Sequence, residues 1–227
     1  MAGGKTNGME NDWLNYEFRG DAYAVPGSKY AGLFTVSPDP ELGTGGTEVS
    51  GGAYARQQLT RATTTWNAST TGSLTNAAGT GVVTFPTATA AWGRVMSLGL
   101  WDALTVGNLR YLIPLVDPTF GYKNFAVSDI TNDDIVCPGH VLAANDVVRF
   151  FPVGGTLPGG ITNSDTRLFV IATGLTTDTF RVSATQGGAA LNISSVGRGE
   201  VAKDASFDVV LNSQLSFAAG TITVGDD

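Results

Sequence analysis

Trp92-Gly93-Arg94-Val95-Met96-Ser97-Leu98-Gly99-Leu100-Trp101-Asp102-Ala103 is the densest run of large apolar residues in the chain, and its spacing decides the fold. Met96, Leu98 and Leu100 fall at every second position, so a strand here gathers them on one face. Val95, Ser97, Gly99 and Trp101 form the other face, whose small residues let a second layer come close before Trp101 covers the strand's end. The run therefore reads as the central strand of a β-sandwich, jelly-roll-like in layout. Its flanks agree: Val82-Val83-Thr84-Phe85-Pro86 and Leu109-Arg110-Tyr111-Leu112-Ile113 also read as short strands, with Thr105-Val106-Gly107-Asn108 as a turn.

Composition supports an all-β chain. At 227 residues it can bury about 70% of its unfolded surface in one domain or two small ones. Only 15% of residues are charged, and 30 are glycine, the profile of a protein with many tight turns and little helix. The net charge of −7 removes the phosphate attraction on which nonspecific nucleic-acid binding rests, so nucleic acid is not an expected partner. The single cysteine, Cys137, has no internal partner for a disulfide and says nothing of an oxidising compartment.

The first residues, Met1-Ala2-Gly3-Gly4-Lys5-Thr6-Asn7-Gly8, lack the apolar core of a signal peptide, and no stretch is apolar enough to span a membrane; synthesis in a cytoplasm is expected. Gly3-Gly4-Lys5-Thr6 matches the end of a phosphate loop without its first glycine or preceding strand. The one good helix candidate is Asn11-Asp12-Trp13-Leu14-Asn15-Tyr16-Glu17-Phe18-Arg19. Asn11 or Asp12 caps it, Leu14 and Phe18 stand four apart beside Trp13, and Gly20 stops it. Such a helix is expected to plug one end of the sandwich. Arg19-Gly20-Asp21 spells an adhesion tripeptide, but its place at a helix stop reads as a C-terminal turn.

Tyr30-Ala31-Gly32-Leu33-Phe34-Thr35-Val36 is the expected first strand, ended by Ser37-Pro38-Asp39-Pro40 because proline cannot donate to a ladder. A glycine-rich loop over residues 43–52 leads to an expected strand over 53–59. With no helix start behind it, the loop is read as surface rather than as a phosphate cradle.

These segments carry a resemblance. Leu33-Phe34-Thr35, then Gly46-Thr47-Glu48-Val49-Ser50-Gly51-Gly52-Ala53-Tyr54-Ala55-Arg56-Gln57, Val83-Thr84-Phe85-Pro86, Ala90-Ala91-Trp92-Gly93, Leu98-Gly99-Leu100-Trp101-Asp102-Ala103 and Gly107-Asn108-Leu109 resemble a family of small tailed-bacteriophage virion proteins, usually labelled tail fibre or structural proteins. The match runs through about half the chain, and the pattern GTEVSGG-Y-R is its most specific part. The family implies no catalytic residue. Where such proteins run from the NLRYLIPL strand into a last hairpin, this chain departs. Residues 200–209 and 215–224 are read as that hairpin, and 124–199 as an insertion. Gly139-His140-Val141-Leu142, Asn145-Asp146-Val147-Val148-Arg149-Phe150, Gly155-Thr156-Leu157-Pro158-Gly159-Gly160 and Asp178-Thr179-Phe180-Arg181-Val182-Ser183 within it resemble a compact β-module of phage tail proteins. The expected division is thus 1–123 plus 200–227 as the core domain and 124–199 as the inserted module.

No catalytic, metal or cofactor-binding residue is assigned. His140 is the single histidine, so a Ser-His-Asp or Cys-His mechanism has one candidate base; Cys137-Pro138-Gly139-His140 supplies at most two ligands where zinc wants four. His140 reads instead as a turn histidine bonding backbone. Asp129, Asn132, Asp133 and Asp134 are close enough in sequence for calcium but lack EF-hand spacing. The sequons at Asn67 and Asn192 are set aside for want of a signal peptide. Trp13, Trp92 and Trp101 read as core, while Trp66 lies in a polar stretch where exposure would suggest a sugar platform.

The expected function is a non-catalytic structural component of a tailed-bacteriophage virion, tail- or fibre-associated or capsid-decorating. Its expected partners are other virion proteins and further copies of itself, with a trimer as the favoured homo-oligomer. The alternative is a module that binds a host-surface glycan.

Overall fold

The computed structural model describes residues 4–23, 25, 27–69 and 72–225, which divide into an outer unit, up to Leu115 and again from Ser206, and an inner unit, Val116–Ala205. The outer unit opens with helix α1 (Asn7–Leu14), which runs on as one π-helical turn (Asn15–Arg19). Then come β1 (Ser28–Val36), β2 (Thr47–Glu48), β3 (Gln57–Thr60), β4 (Ser73–Thr75), β5 (Val83–Thr84), β6 (Gly93–Val95), β7 (Ser97–Trp101) and β8 (Leu109–Pro114). The inner unit holds β9 (Lys123–Val127), β10 (Ile135–Val136), β11 (Val147–Phe151), β12 (Leu168–Ile171), β13 (Thr179–Ser183) and β14 (Gly197–Lys203). The chain then returns to the outer unit as β15 (Phe207–Val209), β16 (Ser216–Phe217) and β17 (Thr223–Gly225).

The chain is mainly β with one short helix at its start. In the outer unit, β7 is, with β1, an interior strand of an antiparallel five-stranded sheet ordered β2-β1-β7-β8, with β3 also on β1. Leu98 stands between Leu33 and Ile113, and Gly99 between Gly32 and Leu112. The run 92–103 is not one strand, however. It breaks at Met96, whose N–H donates to the Phe34 carbonyl while its own carbonyl accepts from Leu115. The break resets the alternation, so that Val95, rather than Met96, joins Leu98 and Leu100 in the main core.

Facing the sheet across that core are residues from three two-stranded ribbons, β15-β6, β16-β5 and β17-β4. Val83, Phe85, Trp92, Val209 and Ile222 pack there with Ala31, Leu33 and Tyr111. On the other face of the sheet, Phe34, Leu109 and Leu112 cluster around Trp101.

Several sequence expectations shift. The glycine-rich stretch contains β2, and the strand expected over 53–59 begins only at Gln57, because Gly51, Gly52 and Ala53 all adopt left-handed backbone. Residues 200–209 and 215–224 do not pair as a hairpin. Their apolar positions serve different partners: β14 pairs with β11 and β9, β15 with β6, and β17 with β4. The helix starts at Asn7, four residues early, and stops where expected, with Gly20 left-handed at φ +71. It lies on the surface instead of plugging an end: Met9 alone of the helix packs against the main core, half-buried, and none of the helix residues is fully buried.

The inner unit is a closed barrel, β10-β13-β12-β11-β14-β9, filled by Phe125, Ile135, Phe150, Phe180, Val182 and Val201 among others. Closure leaves no strand edge open for pairing. Arg149 points away from that filling yet is fully buried; it donates to the Ser164 carbonyl (2.7 Å) and pairs with Asp165 (2.8 Å). Burial pulls its guanidinium below its ordinary range, and the two neighbouring carboxylates, Asp165 and Asp204, oppose that shift.

Candidate functional site

The GTEVSGG-Y-R stretch builds a polar cluster on the sheet rather than a ligand pocket. Glu48 on β2 takes a forked pair from Arg56, Nε to Oε1 at 2.8 Å and a terminal nitrogen to Oε2 at 2.7 Å. The other terminal nitrogen donates to the carbonyls of Ala103 (3.0 Å) and Val106 (2.7 Å), which fixes the β7–β8 turn. The guanidinium lies 3.6 Å from the Trp101 ring centroid. Tyr54 completes the cluster: its hydroxyl donates to Glu48 (2.8 Å) and accepts the Leu33 N–H (2.8 Å). Burial, together with the Glu48 carboxylate, holds that phenol well above its ordinary range despite the Leu33 hydrogen bond. With its donors spent on carboxylate and backbone and its face on an indole, Arg56 is a structural clamp.

The N-terminal arm and helix are the second feature, and the one that points outward. Gly4 to Thr6 lie along the outer edge of β8: Leu112 N–H donates to Gly4, Thr6 N–H to Arg110, and the Thr6 hydroxyl to Leu109 (2.9, 3.1 and 3.0 Å). Asn7 N–H donates to Glu41 (2.8 Å), and Arg110 pairs with Asp12 at 2.6 Å. The helix is thus pinned, yet Trp13, Leu14 and Tyr16 are each about half exposed and Phe18 is 78% exposed. The Trp13 and Tyr16 rings lie 6.1 Å apart. Sequence reasoning placed Trp13 in the core. The available signal was that apolar side chains at 13, 14, 16 and 18 circle much of the helix, so no single core can take them all.

The candidates for chemistry are each tied into the fold. His140 is 1% exposed: the Leu142 N–H donates to Nδ1 (2.9 Å), so the proton sits on Nε2, which faces the Thr179 carbonyl (3.2 Å). Cys137 is fully buried in the barrel, and burial pushes its thiol up. The acidic group disperses. Asp129 accepts from the Thr131 hydroxyl and N–H, which hold its carboxyl low; Asp133 accepts from Ile193 N–H; Asp134 pairs with Arg181. Among the described residues no group of three or more His, Cys, Asp or Glu is placed to hold a metal, and no helix is long and apolar enough to cross a membrane.

Thr6, the end of the phosphate-loop match, is buried against β8, and Arg19 pairs with Asp21 around the left-handed Gly20. Trp66 is no exposed platform; it bridges to Asn76 and packs on the main core. Trp92 is buried, and its indole N–H donates to Gly52 (2.9 Å).

A family model described as Podophage GP4 fiber I protein gp80 matches residues 4–129. That span holds the arm, α1, the whole five-stranded sheet with its Glu48–Arg56 clamp, and β9 of the barrel. No curated protein matches the chain.

Proposed function

The chain belongs to the Podophage GP4 fiber I protein gp80 family, which its match covers over more than half its length, and on that premise we propose that it is a non-catalytic structural component of a tailed-phage virion. The family match carries the reading; a helix pinned to the sheet with its aromatic side chains turned outward supports it. The position proposed is tail- or fibre-associated rather than capsid-decorating. The chain works through protein–protein contacts as a homo-oligomer, with a trimer as the favoured form, and needs no cofactor, nucleic acid or membrane. Repetition by symmetry makes many weak contacts tight in the particle even where the free chain is monomeric. The outer unit is read as a jelly-roll-like sandwich whose second layer is made of ribbons, and residues 116–205 as an inserted barrel module.

Mass spectrometry of purified virions, with the chain then located in a low-resolution map of the particle, tests this. Absence from the particle sinks the reading, and density on the capsid shell replaces tail by decoration. One observation favours the second reading, host-glycan recognition: the exposed Trp13 and Tyr16 rings offer faces of the kind that stack on sugars. Depletion of the chain from solution by host polysaccharide, lost on Trp13→Ser, would support that alternative.

A further inference from the structure

The exposed side of α1 carries charge as well as apolar surface. Asp12 is matched by Arg110 and Asp21 by Arg19, whereas Glu10 and Glu17 make no ion pair among the described residues. Glu10 stands three and four residues before Trp13 and Leu14, and Glu17 three after Leu14, so the carboxylates edge the apolar patch. Leu14 and Phe18, four apart, with Trp13 beside them, stay half or more exposed on one side of the pinned helix and present the anchors of helix-in-groove recognition. Charge decides the occupant. A second copy meeting it helix to helix would bring the same two carboxylates, setting like charges against each other at the rim.

We infer that α1 and the turn after it dock into an apolar groove, edged with lysine or arginine, on a different protein of the virion. This rests on the fibre reading above and assigns the homo-oligomer contacts to other surfaces. In the docked state Trp13 and Phe18 fill the groove and Glu10 and Glu17 pair with its basic rim, while the Asp12–Arg110 pair keeps the helix presented.

A benzophenone-bearing phenylalanine at position 18, irradiated in purified virions, tests it. The expected adduct joins this chain to a different virion protein within a segment containing Lys or Arg. An adduct to a second copy, or none from particles that contain the chain, overturns the inference. Independently, Glu10→Lys with Glu17→Lys should lower the chain's occupancy in the particle about tenfold with its circular dichroism unchanged, and Glu10→Gln with Glu17→Gln less so. Unchanged occupancy in the lysine variant overturns it. So does Trp13→Ser if particles keep full occupancy but lose adsorption to host cells, which would assign the patch to a sugar. In those outcomes the fibre reading stands; absence of the unaltered chain from virions defeats both.

Discussion

Gly32 and Gly99 stand directly opposite each other on β1 and β7, and their missing side chains make room for the Trp101 indole and the Phe34 ring. A Cβ on Gly32 would lie 2.8 Å from Glu48 Oε1 and 2.9 Å from Trp101 Nε1; one on Gly99 would lie 2.6 Å from both Leu109 Cδ1 and Phe34 Cε2. Phe34 stacks on Trp101 at 5.9 Å, so neither ring can retreat without moving the other. Gly99→Ala should therefore destabilise the outer unit by about 1–3 kcal/mol through overpacking. Urea unfolding followed by tryptophan fluorescence measures this; an unchanged midpoint would show that the layer yields.

Arg56 should be the most consequential exposed-looking residue of the sequence. Its side chain is only 9% exposed and its partner Glu48 22%, so removing it strands a largely desolvated carboxylate. Arg56→Ala should cost about 3–5 kcal/mol. Arg56→Lys should recover little, since an ammonium neither forks onto a carboxylate nor stacks flat on an indole. Hydrogen exchange gives the local signature: amides of Asp102 and Asn108, bonded across the turn, should exchange faster in both variants. Protection equal to the parent chain would mean the turn holds itself.

How much of this the sequence disclosed depends on how local each interaction is. The alternation around Leu98 and Leu100 marks an interior strand because both faces of β7 are covered. The break at Met96 is invisible, since it follows from β6 leaving the sheet to pair with β15, more than a hundred residues later. Helix amphipathicity presumes that a chain buries its own apolar faces; Trp13 and Phe18 do not obey and stay half or more exposed on a helix that the Asp12–Arg110 pair holds in place. Conversely, Trp66 looked stranded among polar residues and is packed by its bridge to Asn76. The GTEVSGG-Y-R pattern is readable as a signature, but its purpose depends on Trp101, a separation that spacing alone does not bridge.

Alkaline pH should weaken the fold in steps. Cys137 and Tyr54 are both held above their ordinary range, chiefly by burial. The unfolded chain therefore releases their protons first, from about pH 8.5 for the thiol and about pH 10 for the phenol, and stability falls as pH rises past each. Lys29 acts oppositely. Burial and then Arg110 push its ammonium down, so its penalty in the fold fades as pH rises through the folded value toward the unfolded one. Comparison with Cys137→Ala isolates the thiol: the stability advantage of the parent chain over the variant should shrink between pH 8 and pH 10. A constant difference would show the thiol to be solvated.

The inner unit should be removable. Leu115 N–H donates to the Met96 carbonyl, and Phe207, next to Ser206 where the outer unit resumes, pairs with Val95, so the outer-unit chain on either side of the inner unit meets neighbouring positions of one segment. The inner unit's ends are likewise joined: Val116 bridges to Asp204, and Asp117 N–H donates to Lys203. A cut at 124 and 199 would sever β9 and β14, two of the barrel staves, whereas a cut at 116 and 205 leaves every ladder whole. Replacing 116–205 by a short Gly/Ser link should give a soluble β protein that keeps the Gly32–Gly99 pairing, and the excised barrel should fold alone around Phe150 and Phe180. Two cooperative unfolding transitions, one for each piece, are the expected result by calorimetry. Aggregation of both pieces, with the full chain soluble, would show that the units depend on each other to fold.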